Sequence, residues 1–388
     1  MTPNSPVFLN SAGASIPTPE TLQAVIDHLH LESQVGGYLA ADRVASTLAQ
    51  SRADLGALVG GLGSEVALTA SDSAGWVKAW WGWVLGGNVP VGSVVLADQL
   101  SYHSHYAALR QTQAFAGFTL SIIPSLPDGT VDLDALVDLA DLVDERVSAM
   151  SITIVGTHSG NVNPVGAVGA VAQAAGVPMF VDGCQAFAQL PVDVRELGCA
   201  VFTGTGRKWL RAPRGTGMLW VAAELAERFQ PPGVDSNTST WTEADGLRVS
   251  EGMAKFEDFE FCVAAHVGMA TAARQACDLG TARIGAEVLS LANHLRAELR
   301  ERNGVTVHDT AQRVCGIVTF SVEGVEPAAV VAAAAAHGAT INSTGANWAT
   351  LDLTAKGLQQ VVRVSPHIFN TVDDVDRVVH AVDSLLTR

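Results

Sequence analysis

Two kinds of segment alternate over the first 230 residues of this chain. Apolar positions recur with helical spacing over Thr18–Leu31, Ala41–Gly60, Ser73–Leu85, Leu133–Glu145 and Val165–Ala175. Between them lie short, largely apolar runs: Val66–Ala70, Val94–Asp98, Thr119–Pro124, Ala149–Val155, Val177–Asp182, Ala200–Thr203 and Gly217–Val221. A strand covered on both faces has no polar side to present. These runs therefore predict an α/β fold with a mostly parallel, seven-stranded sheet and helices front and back. In such sheets, ligand-binding residues gather where the strands end.

The pattern changes after about Gln230. Residues 231–240 are rich in Pro, Gly, Ser and Thr, which marks a loop or linker. A long Ala-rich helical pattern follows, from Val263 to about Glu301. Strands are expected near Val305–Val307 and Val314–Val322, a helix from Pro327, a strand at Val361–Val364 and a terminal helix from Val372. This second block reads as a small α+β domain. The expected division is an N-terminal segment over 1–19, a large domain over 20–235, and a linker plus small domain over 236–388.

Composition narrows the classes of partner. A formal net charge of −16 repels phosphate backbones and anionic lipid, which argues against nucleic acid and membrane surfaces. The most apolar stretch, Pro327–His337, is too short to span a bilayer. Met1–Ser15 carries neither the basic nor the apolar part of a secretion signal, so the expected location is cytoplasmic. Cys184, Cys199, Cys262, Cys277 and Cys315 are odd in number and lack a CxxC spacing. They read as reduced thiols, with no metal site or disulfide framework expected.

Against that background, the position of one lysine matters, because the chain has only four. Lys208 follows the apolar run Val201–Phe202 and a Gly/Thr-rich turn, and Asp182 ends the preceding apolar run. A strand-end acid followed by a strand-end lysine is the arrangement that holds pyridoxal 5′-phosphate (PLP). The acid keeps the pyridine nitrogen protonated, and the amine links covalently to the aldehyde. Asp182 alone reads equally well as a helix cap, with Gln185 completing a capping box. Ser71 and Asp72 stand in a turn that opens a helix, where backbone N–H groups can hold a phosphate. An ordinary cap is the commoner use of such residues, and the Asp72 carboxylate would repel a phosphate unless it points away. Thr203, Thr205 and Arg207 offer hydroxyls and a charge. Tyr102 and His103 offer a ring that could stack on the pyridine. A metal pair at His103 and His105 finds no third ligand at helical spacing. Arg363 could clamp a carboxylate through two parallel hydrogen bonds, although a lone strand arginine is more often a surface ion-pair partner.

These signals occur in one order. Asp182-Gly-Cys-Gln185, Thr205-Gly-Arg-Lys208 and Val362-Arg-Val-Ser365 resemble motifs of class V aminotransferase-fold PLP enzymes, which include cysteine desulfurases and isopenicillin N epimerase. The resemblance runs from Leu9 to the C-terminus. It implies fold type I of the PLP-dependent transferases and a homodimer with sites at the subunit interface. Under it, Lys208 would bind the cofactor aldehyde, Asp182 the ring nitrogen and Gln185 the ring hydroxyl. His103 would stack on the ring, and Arg363 would take the substrate carboxylate. Thr205, Arg207 and the Ser71 turn would hold phosphate, with Tyr102 and Thr157 also at the cofactor.

Within the family, Gln34–Tyr38, Thr157–Gly160, Arg207–Trp209 with Pro213–Gly215, and Arg363–His367 are most similar to the ergothioneine-pathway C–S lyase. The lincosamide-antibiotic PLP enzymes are also similar. The reaction so implied is β-elimination across the Cβ–S bond of an S-substituted cysteine or its sulfoxide. Decarboxylation, decarboxylation-coupled oxidative deamination and epimerisation use the same cofactor chemistry. Tyr38, Trp80, Trp81, His158, Asn347 and Trp348 are candidates for the distal pocket. Two departures stand out. No cysteine follows Cys315, so the mobile thiol of a desulfurase is missing, and Glu260 stands where many members place an interface threonine.

Overall fold

The computed structural model describes residues 6–142 and 146–387. Seven strands form the large sheet: β1 (Val66–Thr69), β2 (Val94–Ala97), β3 (Thr119–Ile122), β4 (Val147–Thr153), β5 (Met179–Asp182), β6 (Val201–Thr205) and β7 (Gly217–Val221). Their order across the sheet is β1-β7-β6-β5-β4-β2-β3. Only β7 runs against its neighbours, so the other six end on one edge. The predicted mostly parallel sheet is present.

Alternation along each strand explains why these runs are apolar throughout. Met179 and Val181 enter one buried cluster with Ile152, Phe202 and Trp220, beneath helices Ala45–Ala57, Val165–Ala174 and Val263–Leu279. Phe180, between them in β5, points to the opposite face. There it joins Trp76, Trp80 and Trp83 of helix Asp72–Leu85, with Phe229. Both faces are dry.

A second sheet of four antiparallel strands is built from β8 (Val305–Val307), β9 (Val318–Val322), β10 (Asn342–Gly345) and β11 (Gln360–Val364), in the order β8-β9-β11-β10. Helices Thr281–Arg300, Pro327–Ala336 and Val372–Leu386 cover it, around Leu295, Phe320, Val362 and Val378. The chain start reaches this region: Val7–Phe8 pairs with Ala339–Thr340, and Asn10 bridges to Ser365.

Several boundaries differ from expectation. The pattern over Val263–Glu301 is two helices, Val263–Leu279 and Thr281–Arg300, because Gly280 takes φ +79°, which glycine alone adopts freely. The pattern over Ala41–Gly60 is likewise split, into Gly37–Arg43 and Ala45–Ala57 at Val44. The strand expected from Val314 begins at Val318. Helix His103–Ala116 escaped the periodicity reading because its buried face, His105, Ala108, Leu109 and Thr112, is half polar or small. The linker holds a hairpin, Ser239–Thr242 with Gly246–Val249. The expected helix end at Glu145 lies outside the described residues.

Two buried polar connections tie the second sheet to the loops of the first. Arg296 donates to Asp309 and to the carbonyl of Cys315, and Asp309 also accepts from Gly160 N (2.7 Å) and Thr319. Asp309→Ala would strand a buried guanidinium, a defect of about 3–5 kcal/mol that urea unfolding of the variant should show. His367 stacks on Trp209 and accepts from its neighbour's N–H, while its other nitrogen lies 3.0 Å from the Trp209 carbonyl. Burial pulls its pKa down from 6.5 to about 4. The folded state therefore prefers the neutral ring. Its contribution is complete above pH 6.5 and is lost as pH falls toward 4. His367→Gln should flatten the acid side of the stability profile by roughly 3 kcal/mol, read from urea midpoints between pH 7 and pH 4.

Candidate active site

Because β1, β2, β4, β5 and β6 end on the same edge, their following turns converge. β5 delivers Asp182, and the β6 turn delivers Lys208, although 26 residues separate them. Lys208 is only 6% exposed, and its Nζ lies 3.1 Å from Cys184 Sγ. Asp182 Oδ1 accepts from Cys184 N at 2.8 Å. Ligand atoms of Asp72, Asp182 and Cys184 all lie within 4.8 Å of one another. Lysine, thiol and acids thus form one cluster. Burial pushes the Cys184 thiol up, and nearby Asp72 adds to the effect, so the sulfur stays protonated.

Beside Lys208 opens a cavity of about 220 Å³. Ala12 and Gly13 of the N-terminal segment, Tyr102, Thr157, Arg207 and Arg363 line one part, and Asn342, Ser343, Thr344 and Trp348 line another. Arg363 is 4% exposed. It donates to Thr157 O (2.8 Å) and Oγ1 (3.2 Å) and to Asn10 Oδ1 (3.3 Å), while its Nε is buried without a partner. Burial and then the charge of Arg207 lower its pKa to about 10, which leaves it cationic at neutral pH. Among the described residues, no carboxylate pairs with it. A buried, unpaired guanidinium facing a cavity is costly unless an anion arrives.

The turn after β1 has the expected cap: Ser71 Oγ accepts from Ala74 N at 3.1 Å. Asp72 is engaged by two other side chains. Its Oδ1 accepts from Thr203 Oγ1 (2.7 Å), and its Oδ2 lies 3.1 Å from His105 Nε2. Thr205 is buried at the end of β6, and Arg207 reaches the Gly13 carbonyl. Gln185 is held by Ala12 O and Trp209 Nε1, with its amide 3.4 Å from Thr157 Oγ1. A strand-end acid near a buried amine, a helix N-terminus on the same sheet edge, and a guanidinium without a carboxylate partner in the cavity wall fit PLP and an amino-acid carboxylate.

Other candidates fall elsewhere. His103 is exposed and does not line the cavity, whereas Tyr102, one residue earlier, does. Tyr102 precedes the helix and lies parallel to Trp348 at 6.0 Å. His158 is not in the cavity wall; its Nε2 lies 2.7 Å from Asp352 Oδ2, which Lys356 also contacts. Asn347 is exposed, with its amide against Gly345 and Trp348. Tyr38 is 80% exposed beside Phe259, and Glu260 is exposed nearby in sequence. Trp80 is a core residue hydrogen-bonded to Thr112, and Trp81 packs on Phe115. Large aromatics on an amphipathic helix went to the core, as they commonly do.

Sequence reasoning missed His105 and Asp98. His105 follows His103 by two positions, about 200° round a helix, so one faces solvent and the other the interior. Its Nδ1 lies 3.1 Å from Asp182 Oδ2, and its ring stacks on Trp76. Asp98, just after β2, accepts from Ser101 Oγ, Thr153 N and Asn163 Nδ2. Burial raises its pKa to about 7 against those hydrogen bonds. Asp98 pins the turn that carries Tyr102. The strand-end rule that singled out Asp182 applies equally to Asp98 and was the available signal.

Comparison with known proteins agrees with this geometry. The family model "Aminotransferase class-V" matches residues 7–378. A probable hercynylcysteine sulfoxide lyase of Mycobacterium tuberculosis is 29% identical over 98% of this chain and 90% of its own length. A probable cysteine desulfurase of Halalkalibacterium halodurans is 28% identical over 76% of this chain and 71% of its own. Among solved structures, a cysteine desulfurase of Escherichia coli superposes with a TM-score of 0.90 at 21% identity, covering 98% of this chain and 95% of that one. The chain belongs to the class-V aminotransferase family of PLP-dependent enzymes.

Proposed function

We propose that this chain is a carbon–sulfur lyase that cleaves the Cβ–S bond of an S-substituted cysteine or its sulfoxide by β-elimination. The products are a thiol or sulfenate, pyruvate and ammonia. The observation that carries the reading is the cavity itself. Lys208 and the unpaired Arg363 share its wall, and the 342–348 segment beside them offers hydroxyls, an amide and an indole but no thiol. A desulfurase needs a sulfur acceptor there, whereas elimination needs none. The relative that matches over 98% of this chain is named as a lyase of a cysteine sulfoxide.

Each residue then has a defined task. Bound PLP supplies the electron sink for charge developing at the substrate Cα. Lys208 is the residue that would hold the cofactor covalently, and its Nζ would take the Cα proton. Asp182 holds the ring nitrogen, and Gln185 stands on the side of the ring hydroxyl. Thr205, Arg207 and the N–H groups following Ser71 hold the phosphate. Tyr102 takes the stacking role expected of His103. Arg363 would clamp the substrate carboxylate and so orient the Cα within the cavity. The Cβ–S electron pair leaves with sulfur, and water converts the remaining three-carbon enamine to pyruvate and ammonia. The parallel Tyr102 and Trp348 rings border the space for the sulfur substituent. In this reading, residues 20–235 carry the cofactor, 236–388 close the site, and two chains pair as a dimer.

Lys208→Ala should lose the visible absorbance of the linked cofactor and reduce turnover by at least about a thousandfold. Arg363→Ala should raise KM about 30–100-fold, since a charge-assisted pair to the carboxylate is lost. Mass spectrometry of products from a panel of S-substituted cysteines and sulfoxides decides the reaction. Pyruvate with a released thiol or sulfenate is expected; carbon dioxide without pyruvate, or exchange of the Cα hydrogen with an intact carbon skeleton, would replace elimination.

A further inference from the structure

The turn that opens helix Asp72–Leu85 and the acid that ends β5 are joined by one imidazole. His105 Nε2 lies 3.1 Å from Asp72 Oδ2, and Nδ1 lies 3.1 Å from Asp182 Oδ2. The ring is 1% exposed. Trp76 stacks on it at 4.6 Å and 17°, and Tyr102 meets it edge-on at 6.0 Å, so the ring plane is fixed. Asp72 is further held by Thr203 Oγ1, and Asp182 by Cys184 N.

Two buried carboxylates facing opposite nitrogens of one ring constrain its protonation. A neutral imidazole donates from one nitrogen only, and its other lone pair would face a carboxylate oxygen. An imidazolium sets positive charge against both at ion-pair distance, although Nδ1, Nε2 and Asp72 Oδ2 are buried without a hydrogen-bond partner. Burial pulls the His105 pKa down, but Asp182 and Asp72 together outweigh it and raise it to about 10.

We propose that His105 is a positioning residue, a doubly protonated bridge that holds the Asp72 and Asp182 carboxylates in place, with Asp182 set toward the cofactor's ring nitrogen. The same bridge, with Thr203 Oγ1, holds the Asp72 carboxylate at the opening of helix Asp72–Leu85. One ring thereby ties the acid that ends β5 to the turn that follows β1. The inference rests on the reading of this cavity as the PLP site.

The test uses holoenzyme. In wild-type protein labelled with [15N]histidine, both His105 ring nitrogens should be protonated at pH 8; a neutral tautomer there overturns the proposal. This measurement does not depend on a variant folding. Next, wild type and His105→Gln are each reconstituted with PLP labelled with 15N in the ring. Glutamine can donate a hydrogen bond but carries no charge. The expected result is a protonated ring nitrogen in wild type, a displaced ring-nitrogen signal in the variant as Asp182 loses its fixed position, and cofactor affinity weakened about tenfold or more. An unchanged nitrogen signal in a variant that binds cofactor would reduce His105 to packing. Failure of the wild type to show visible cofactor absorbance sinks the cofactor reading instead, so the two failures are separable.

Discussion

Charge burial at the carboxyl edge of the large sheet is the constraint around which the rest is arranged. Asp72, His105, Asp182, Lys208 and Arg363 are each nine-tenths or more buried there. Removing such groups from water costs several kcal/mol apiece unless partners compensate. Some compensation is internal, as in the Asp72–His105–Asp182 chain. Under the proposed reading, a bound cofactor and an amino-acid carboxylate would supply the remainder. The stability needed to hold these groups in place comes from elsewhere, chiefly the apolar clusters on both sheet faces and the tryptophans behind His105.

The same dryness sets the chemical character of the neighbours. Cys184 sits against Lys208 Nζ, yet burial keeps it a thiol, so proximity does not make it a nucleophile. Tyr102 is likewise pushed up, first by burial and then by Cys184, and remains a phenol at the cavity wall. Arg363 is lowered but stays cationic. A site can therefore hold a lysine, a thiol, a phenol and an arginine side by side while directing chemistry through only one of them.

Family and fold leave the reaction open, because this architecture carries desulfurases and lyases alike. What distinguishes this chain is local. The segment 342–348 lacks a thiol, and the ring of Trp348 lies over Tyr102. His158, which the motif placed near the substrate, instead braces helix Thr350–Ala355 through Asp352.

The sequence by itself determined the seven-stranded sheet, the strand-end places of Asp182 and Lys208, and Arg363 on a strand of the second sheet. Those features are written in local periodicity: runs apolar on both faces, each broken by a turn that carries a charged residue. Tertiary structure alone decided which of two adjacent rings faces the cavity, Tyr102 and not His103, and which histidine lies between the carboxylates. It also sent Trp80 to the core and left Tyr38 in solvent. Those outcomes depend on helix phase and on packing between residues far apart in the chain. Helical phase shifts by about 100° per residue, so an uncertainty of one residue in where a helix starts exchanges inside for outside.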